Sequence, residues 1–304
     1  MAAPLTGARA RRRICRICSR RSARRMEPSY GWEKHADTML SARLPYKVAD
    51  TTETPAMPEL VDFPTPAGLR SLSPFGYKAE ALLALSGTDY TKIPPAPDLM
   101  PHDKIPVLRE DGRLIPDSSL IQNHLEDSGR LTCDSSLTLQ ERAIAEAFRR
   151  MAEEHLRWVL AYTRWMEPAC EAVMSSLAFG HLDEPARRET FLAVRGEVKH
   201  TLHAQGLGRH TPDDLYRFGC DDLDALAVWL DDKPFFMGDR PTSVDATIAG
   251  LLYALLCLEV DTPLIRHTRA IPTFAAYVVR FEQTVFPGAT QIPAHLATLA
   301  ETTA

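Results

Sequence analysis

Residues 104–121 read Lys-Ile-Pro-Val-Leu-Arg-Glu-Asp-Gly-Arg-Leu-Ile-Pro-Asp-Ser-Ser-Leu-Ile, and this run decides the fold. Lys104–Leu108 has the apolar content of a strand. Glu110-Asp111-Gly112-Arg113 is a hairpin-type turn, because Asp-Gly tolerates the positive φ angles that such turns need. Leu114-Ile115 continues as the returning strand, and Asp117-Ser118-Ser119 caps a helix through Leu125. Upstream, Glu59–Phe63 reads as a short strand. Ser73-Pro74 opens a helix, with Ser as N-cap and Pro in the first turn, and that helix stops at Gly87. Tyr90–Ile93 is a further strand, followed by the proline-rich loop Pro94 to Pro101. The order is β-α-β, an irregular connection, then β-β-α.

Beyond this half the pattern is helical. Thr138-x-x-Glu141 is a capping box. Ile144, Phe148, Met151, Leu156, Val159 and Leu160 follow it at helical spacing and predict one long amphipathic helix ending near Met166-Glu167-Pro168. Further helices are expected at about 184–203, 211–219 and 221–231. Thr242-x-x-Asp245 is a second capping box, before the apolar run 246–258. Its two side chains satisfy the exposed amides of a buried helix start, so Asp245 is read as a folding residue and not a catalytic one.

The chain has 304 residues, 45% hydrophobic and 25% charged, as expected for two soluble globular domains. Its six cysteines are scattered apart from Cys15 and Cys18, which fits a reducing compartment rather than a disulfide framework. Residues 1–56 hold 12 Lys+Arg against 5 Asp+Glu, leaving 23 basic and 35 acidic residues, a net of −12, for 57–304. An acidic body argues against nucleic acid as the main partner, since phosphate binding needs the opposite sign. No run of about 18 apolar residues is present, so no transmembrane segment is expected. Residues 1–26 hold nine arginines and no acid. That extension, 1–56, reads as a dispensable or disordered segment, a mitochondrial transit peptide or a charge-attracted tail. Cys15-x-x-Cys18 lacks the second pair that a zinc site needs, and no metal is expected.

Ser73-Pro-Phe-Gly-Tyr-Lys78, Lys104–Leu108 and Gly112–Ile121, together with Gly206–Thr211, Asp221–Leu226 and Lys233–Ala246, resemble the metaxin-like, failed-axon-connections branch of the glutathione S-transferase superfamily. The likeness runs over about residues 59–290. It implies an α/β thioredoxin-like N-terminal domain at 57–128 and an all-α C-terminal domain at 129–304. It also implies glutathione as co-substrate, with roles at matching positions. The Ile105 backbone, beside a cis Pro106, would pair with the cysteinyl part of glutathione. Asp117 and Ser118 would hold its γ-glutamyl group, and Ser73 would face its sulfur. Read from the residues alone, Ser73 and the Asp117–Ser118 pair also serve simply as helix caps, and Tyr77 as packing or, more weakly, as the sulfur contact. Arg209 and His210 read as a loop-and-cap cluster or as groups facing an anionic ligand. Trp158, Tyr162 and Trp165 read as core packing or the wall of an apolar pocket. Relatives often carry cysteine where this chain has Gly76, so thioredoxin-type dithiol chemistry is not expected here.

The expected function is that of a glutathione transferase, in which the bound thiolate attacks an unidentified electrophilic small molecule. The alternative is a non-catalytic, metaxin-like interaction or assembly role, against which the lack of a C-terminal anchor counts. The resemblance suggests a homodimer. The expected location is the cytoplasm, or the mitochondrion if the Arg-rich N-terminus is a genuine transit peptide.

Overall fold

Four short strands form one sheet in the order β2-β1-β3-β4, with β1 Glu59–Val61, β2 Thr91–Ile93, β3 Val107–Glu110 and β4 Arg113–Pro116. β1 pairs parallel with β2 and antiparallel with β3, and β3 pairs antiparallel with β4. Asp111 and Gly112 adopt φ +48° and +72° at the β3–β4 turn, the left-handed geometry that Asp-Gly favours. The parallel β1–β2 pair requires a crossover, supplied by α1, Pro74–Leu85. Helix α2, Ser118–Asp127, follows β4. The computed structural model describes residues 57–64 and 68–302; what was expected of the Arg-rich extension, including Cys15 and Cys18, lies outside them.

The helical half comprises α3 Leu139–Met151, a π-helical turn Ala152–Leu156, α4 Arg157–Met166, α5 Pro168–Phe179 and α6 Glu184–Gln205. It continues with α7 Pro212–Leu230, α8 Ser243–Leu256, α9 Pro263–Ala270, α10 Pro272–Val285 and α11 Ala294–Thr302. The capping box at Thr138 closes with both of its bonds. The long helix expected through Met166 spans its range but is broken in register by the π turn. The two helices expected at 211–219 and 221–231 are one, α7. Gly219 lies inside it because a Cβ there would stand 2.8 Å from both Leu264 and Val159; this glycine serves close helix packing, not termination.

One hydrophobic core runs through both halves, from Leu60, Leu82 and Leu108 to Leu252, Phe274 and Phe281. Helices α1 and α8 pack against each other within it, with Tyr77, Leu82 and Leu83 on one and Ile248, Leu252 and Leu255 on the other. Every residue of α8 is buried, and so are Gly76–Leu83 of α1. A helix enclosed on all sides is normally apolar all round. Helix α1 departs from that rule at Lys78 and Glu80, which are 1% and 5% exposed, and these exceptions lead to the site.

Candidate active site

The chain entering α1 is tied down at four consecutive residues. Arg70 forms a bidentate ion pair with Glu282 of α10, both bonds 2.8 Å, and its guanidinium lies 3.3 Å from the centre of the Phe286 ring. The Ser71 hydroxyl donates to Asp62 at 2.8 Å. The Leu72 carbonyl accepts from the Arg164 guanidinium at 2.6 Å. The Ser73 amide donates to Ser71 Oγ at 3.1 Å. Ser73 is the N-cap of α1, with φ −93° and ψ 126°, and its Oγ accepts from the Gly76 amide at 3.3 Å. The cap explains why the helix starts where Ser-Pro predicts. Ser73 remains half-buried, with a hydroxyl proton that no protein acceptor takes among the described residues.

Asp62, at the end of β1, lies beneath this helix start. It is fully buried, and Lys92 stands 3.6 Å away. Its second oxygen, Oδ1, has no hydrogen-bond partner; only the neighbouring Phe63 amide lies in reach. Burial pushes its carboxyl up to about 6, against the pull of Lys92 and Ser71. A Cβ at residue 76 would stand 2.3–2.6 Å from this carboxylate. The departure noted in the sequence therefore has a steric cause: Asp62 occupies the space that a side chain at position 76 would need.

The other sequence-predicted residues cluster at the β3 and α2 starts. The Ile105–Pro106 bond is cis. The sheet ladder begins at Val107, so the Ile105 amide and carbonyl stand outside it. The Asp117 amide donates to the Pro106 carbonyl at 3.1 Å, which joins these two predicted positions directly. Asp117 is exposed, sits at φ +75° and caps α2 by accepting from the Ser119 amide at 2.7 Å. Ser118 is 2% exposed. Ser73 opens a different helix, and the link between the two groups runs through Lys78, whose ammonium feels the Asp117 charge.

Lys78 carries the part that sequence reasoning missed. Its Nζ donates to Glu153 in the π turn at 2.6 Å. Glu153 also accepts from Arg149 at 2.7 Å and from Thr247 of α8 at 3.0 Å, and Arg149 reaches Ser119 at 3.3 Å. Burial pushes the Lys78 ammonium down, against the pull of Glu153. The triad Lys78–Glu153–Arg149, with Ser119 and Thr247, joins α1, α2, α3 and α8, and Lys78, Glu153 and Thr247 line a narrow seam between the two halves with Pro74, Phe75 and Leu251. A second depression, about 110 Å³, lies one turn along α2, between Gln122, Arg142, Glu146 and Arg149. Of the triad, Lys78 alone stands in a largely apolar run, while Arg149 and Glu153 lie in the charged stretch 146–157, so no local signal marks the triad.

Other named residues resolve simply. Tyr77 is fully buried against Tyr253, Phe281 and Phe286, so it packs the core and does not face the helix start. Arg209 is exposed and donates to the His203 carbonyl, and His210 is exposed against Phe218, ahead of the α7 cap, where Thr211 accepts from the Asp214 amide. Tyr162 and Trp165 pack on Tyr216 and Phe191, while Trp158 lies under the Arg157 guanidinium. Asp245 accepts from the Phe236 amide, the Thr242 amide and hydroxyl, and the Tyr277 hydroxyl, as suits a folding residue. No group of three metal-ligating side chains occurs among the described residues, and no described helix is long and apolar enough to cross a membrane.

Comparison with known proteins gives a consistent picture. Residues 74–170 match the glutathione S-transferase N-terminal domain model, and 219–281 the glutathione S-transferase C-terminal domain model. The chain is 31% identical over 203 residues to the isoprene-epoxide–glutathione S-transferase of Rhodococcus sp. (strain AD45), covering 64% of this chain and 84% of that protein. It is 30% identical over 232 residues to Drosophila melanogaster failed axon connections, covering 72% of this chain and 56% of the relative. It is 27% identical over 197 residues to human metaxin-1, covering 62% and 42%. The chain thus spans about half the length of these last two. Among solved structures, the Ceriporiopsis subvermispora glutathione S-transferase in complex with glutathione superposes with a TM-score of 0.54 at 20% identity, over 77% of this chain and all of that one. The β-etherase LigF from Sphingobium superposes at 0.52 and 14% identity, over 81% of this chain and all of that one.

Proposed function

Because this chain belongs to the glutathione S-transferase superfamily, in the branch that includes failed axon connections and the metaxins, we propose that it binds glutathione and turns the glutathione thiolate on an electrophile. The observation that carries this reading is the pinned serine at the start of α1. Ser73 Oγ accepts from the Gly76 amide, so its proton is left to donate to a sulfur lying over the helix end. A free thiol has a pKa of about 8.5, and only the thiolate attacks. The helix N-terminus and the hydroxyl bond, at roughly 1–2 kcal/mol each, together lower that pKa by about 1.5 to 3 units.

The remaining predicted residues hold the rest of glutathione. The Ile105 backbone, free of the sheet ladder, pairs with the cysteinyl portion, while Asp117 and the N-terminus of α2, with Ser118, take the γ-glutamyl ammonium and carboxylate. The sulfur lone pair forms the new S–C bond as the bond to the leaving group breaks. For an epoxide, the electrophile named in the Rhodococcus relative, the breaking bond is C–O, and its electron pair leaves an alkoxide that takes a proton from water. The protein supplies thiolate stabilisation and orientation. On this reading it is a cytoplasmic homodimer.

The test is retention of the protein on a glutathione matrix, followed by turnover of a generic aromatic halide; both are expected. The likeness to the metaxins favours a second reading, a non-catalytic assembly role. Failure of the protein to bind glutathione would select it.

A further inference from the structure

Helix α4 runs past the start of α1 and carries two arginines seven residues apart, close to one face. Arg164 is buried and committed, donating to the carbonyls of Leu72 and Ala254 at 2.6 and 2.8 Å. Arg157 is different. Its Nε donates to the Glu153 carbonyl at 3.0 Å. Its guanidinium stacks 3.5 Å from the centre of the Trp158 ring and 5.6 Å from that of Phe75, two residues after Ser73. Its two terminal nitrogens have no acceptor among the described residues. The acids whose charge reaches it, Glu154 and Glu153, are engaged elsewhere: Glu153 by Lys78, Arg149 and Thr247, and Glu154 by Arg150 at 3.6 Å.

Burial pushes the Arg157 guanidinium down, and stacking on Trp158 offsets only part of that cost. A half-desolvated guanidinium with an open two-nitrogen fork is suited to a carboxylate or similar oxyanion, which it binds in bidentate fashion. The flanking rings of Phe75 and Trp158 offer an apolar surface to the body of such a ligand. We propose that Arg157 is the specificity-determining residue for the electrophile, and that this site takes electrophiles bearing a carboxylate on an apolar or aromatic frame.

The proposal rests on the glutathione reading above, and binding separates the two without requiring turnover. The probes are glutathione itself and its S-conjugates with chlorodinitrobenzoate and with the matching carboxamide, titrated calorimetrically into wild type and Arg157→Gln. In wild type the carboxylate conjugate should bind about ten- to thirtyfold more tightly than the carboxamide, the range expected for a charge-assisted pair. In Arg157→Gln that preference should fall to within about twofold, while glutathione affinity stays unchanged, which also reports that the variant folds. Glutathione binding with no carboxylate preference in wild type, or a preference that survives in the variant, overturns the role of Arg157 and leaves the glutathione reading standing. No binding of any probe overturns both. Should that variant fail to fold, Arg157→Lys, which keeps the charge but not the two-nitrogen fork, takes its place: a preference reduced severalfold supports the role of Arg157, and one left unchanged overturns it.

Discussion

Two aspartates of this protein are fully buried beside helix starts, and they are handled in opposite ways. Asp245, at the start of α8, accepts four hydrogen bonds between 2.6 and 2.8 Å. Asp62, beneath the start of α1, accepts one, from Ser71, with Lys92 at 3.6 Å and one oxygen unpartnered. Burial pushes both carboxyls upward. A buried charge with a complete set of donors supports the fold. A buried charge with an incomplete set costs stability, and here it coincides with the loop that fixes Ser73. The contrast separates a structural centre from a candidate functional one on hydrogen bonding alone.

The strongest way to break the comparison is to remove Asp245. Asp245→Ala leaves four buried donors unpaired, and chemical denaturation should show a loss of about 3–5 kcal/mol with turnover per folded molecule unchanged. A loss below about 1 kcal/mol would mean that the two aspartates do not differ as described.

Asp62 should show itself through pH. Its native pKa of about 6 lies above the ordinary 3.8, so the folded state holds this proton more tightly than the unfolded chain. The resulting stabilisation is complete below about pH 4 and is lost as pH rises through about 6, an effect of about 2–3 kcal/mol. Denaturation of wild type and Asp62→Asn between pH 4 and 7 should therefore diverge, with the Asn profile flatter by that amount. Parallel profiles would show that Asp62 is not held in this way.

Gly76 sharpens the same point sterically. Gly76→Ala drives a methyl group into the Asp62 carboxylate and should destabilise by about 1–3 kcal/mol. In an Asp62→Ala background, which vacates that space, most of this loss should disappear. Additive losses in the double mutant would place the clash elsewhere.

The smallest effect in free energy falls on Ser73, where it matters most for chemistry. Ser73→Ala should raise the pKa of bound glutathione by about one unit and slow turnover near neutral pH about tenfold, for the loss of one hydrogen bond to the thiolate. Glutathione affinity should change little. A thiolate absorbance titration of the complex measures this, and an unchanged pKa would leave thiolate stabilisation to the helix terminus alone.

The thioredoxin-like half was legible because its signals are local. Asp-Gly at 111–112, Ser-Pro at 73–74 and the Asp117 cap each act within a few residues, and each appears in the structure. The Thr242-x-x-Asp245 box was legible for the same reason, although its Tyr277 contact, 32 residues away, was not. The triad at the seam was not legible at all. Lys78 meets Glu153 across 75 residues and Glu153 meets Thr247 across 94, and nothing local distinguishes a buried lysine from one on a solvated face. Gly219 misled because glycine in a helical run usually marks an end, whereas here it marks contact with Leu264 and Val159. Helices α5, α9 and α10 each open with proline in the first turn, a start signal that a loop proline mimics, so their sequences alone do not mark them as helices.

The π turn at Ala152–Leu156 has a consequence for how this protein can change. At the regular pitch of 3.6 residues per turn, Arg149 and Arg157 would point about 80° apart. The wider turn takes up most of that angle, so that Arg149 reaches Ser119 while Arg157 reaches Phe75. Closing the turn to a regular helix at unchanged length would swing the second arginine away from the seam, whereas deleting one residue there leaves the two arginines seven residues apart and on one face. Substitutions at this one spot that favour a regular helix over the π turn, while leaving every arginine in place, are therefore a route by which descendants of the same gene can part in ligand preference.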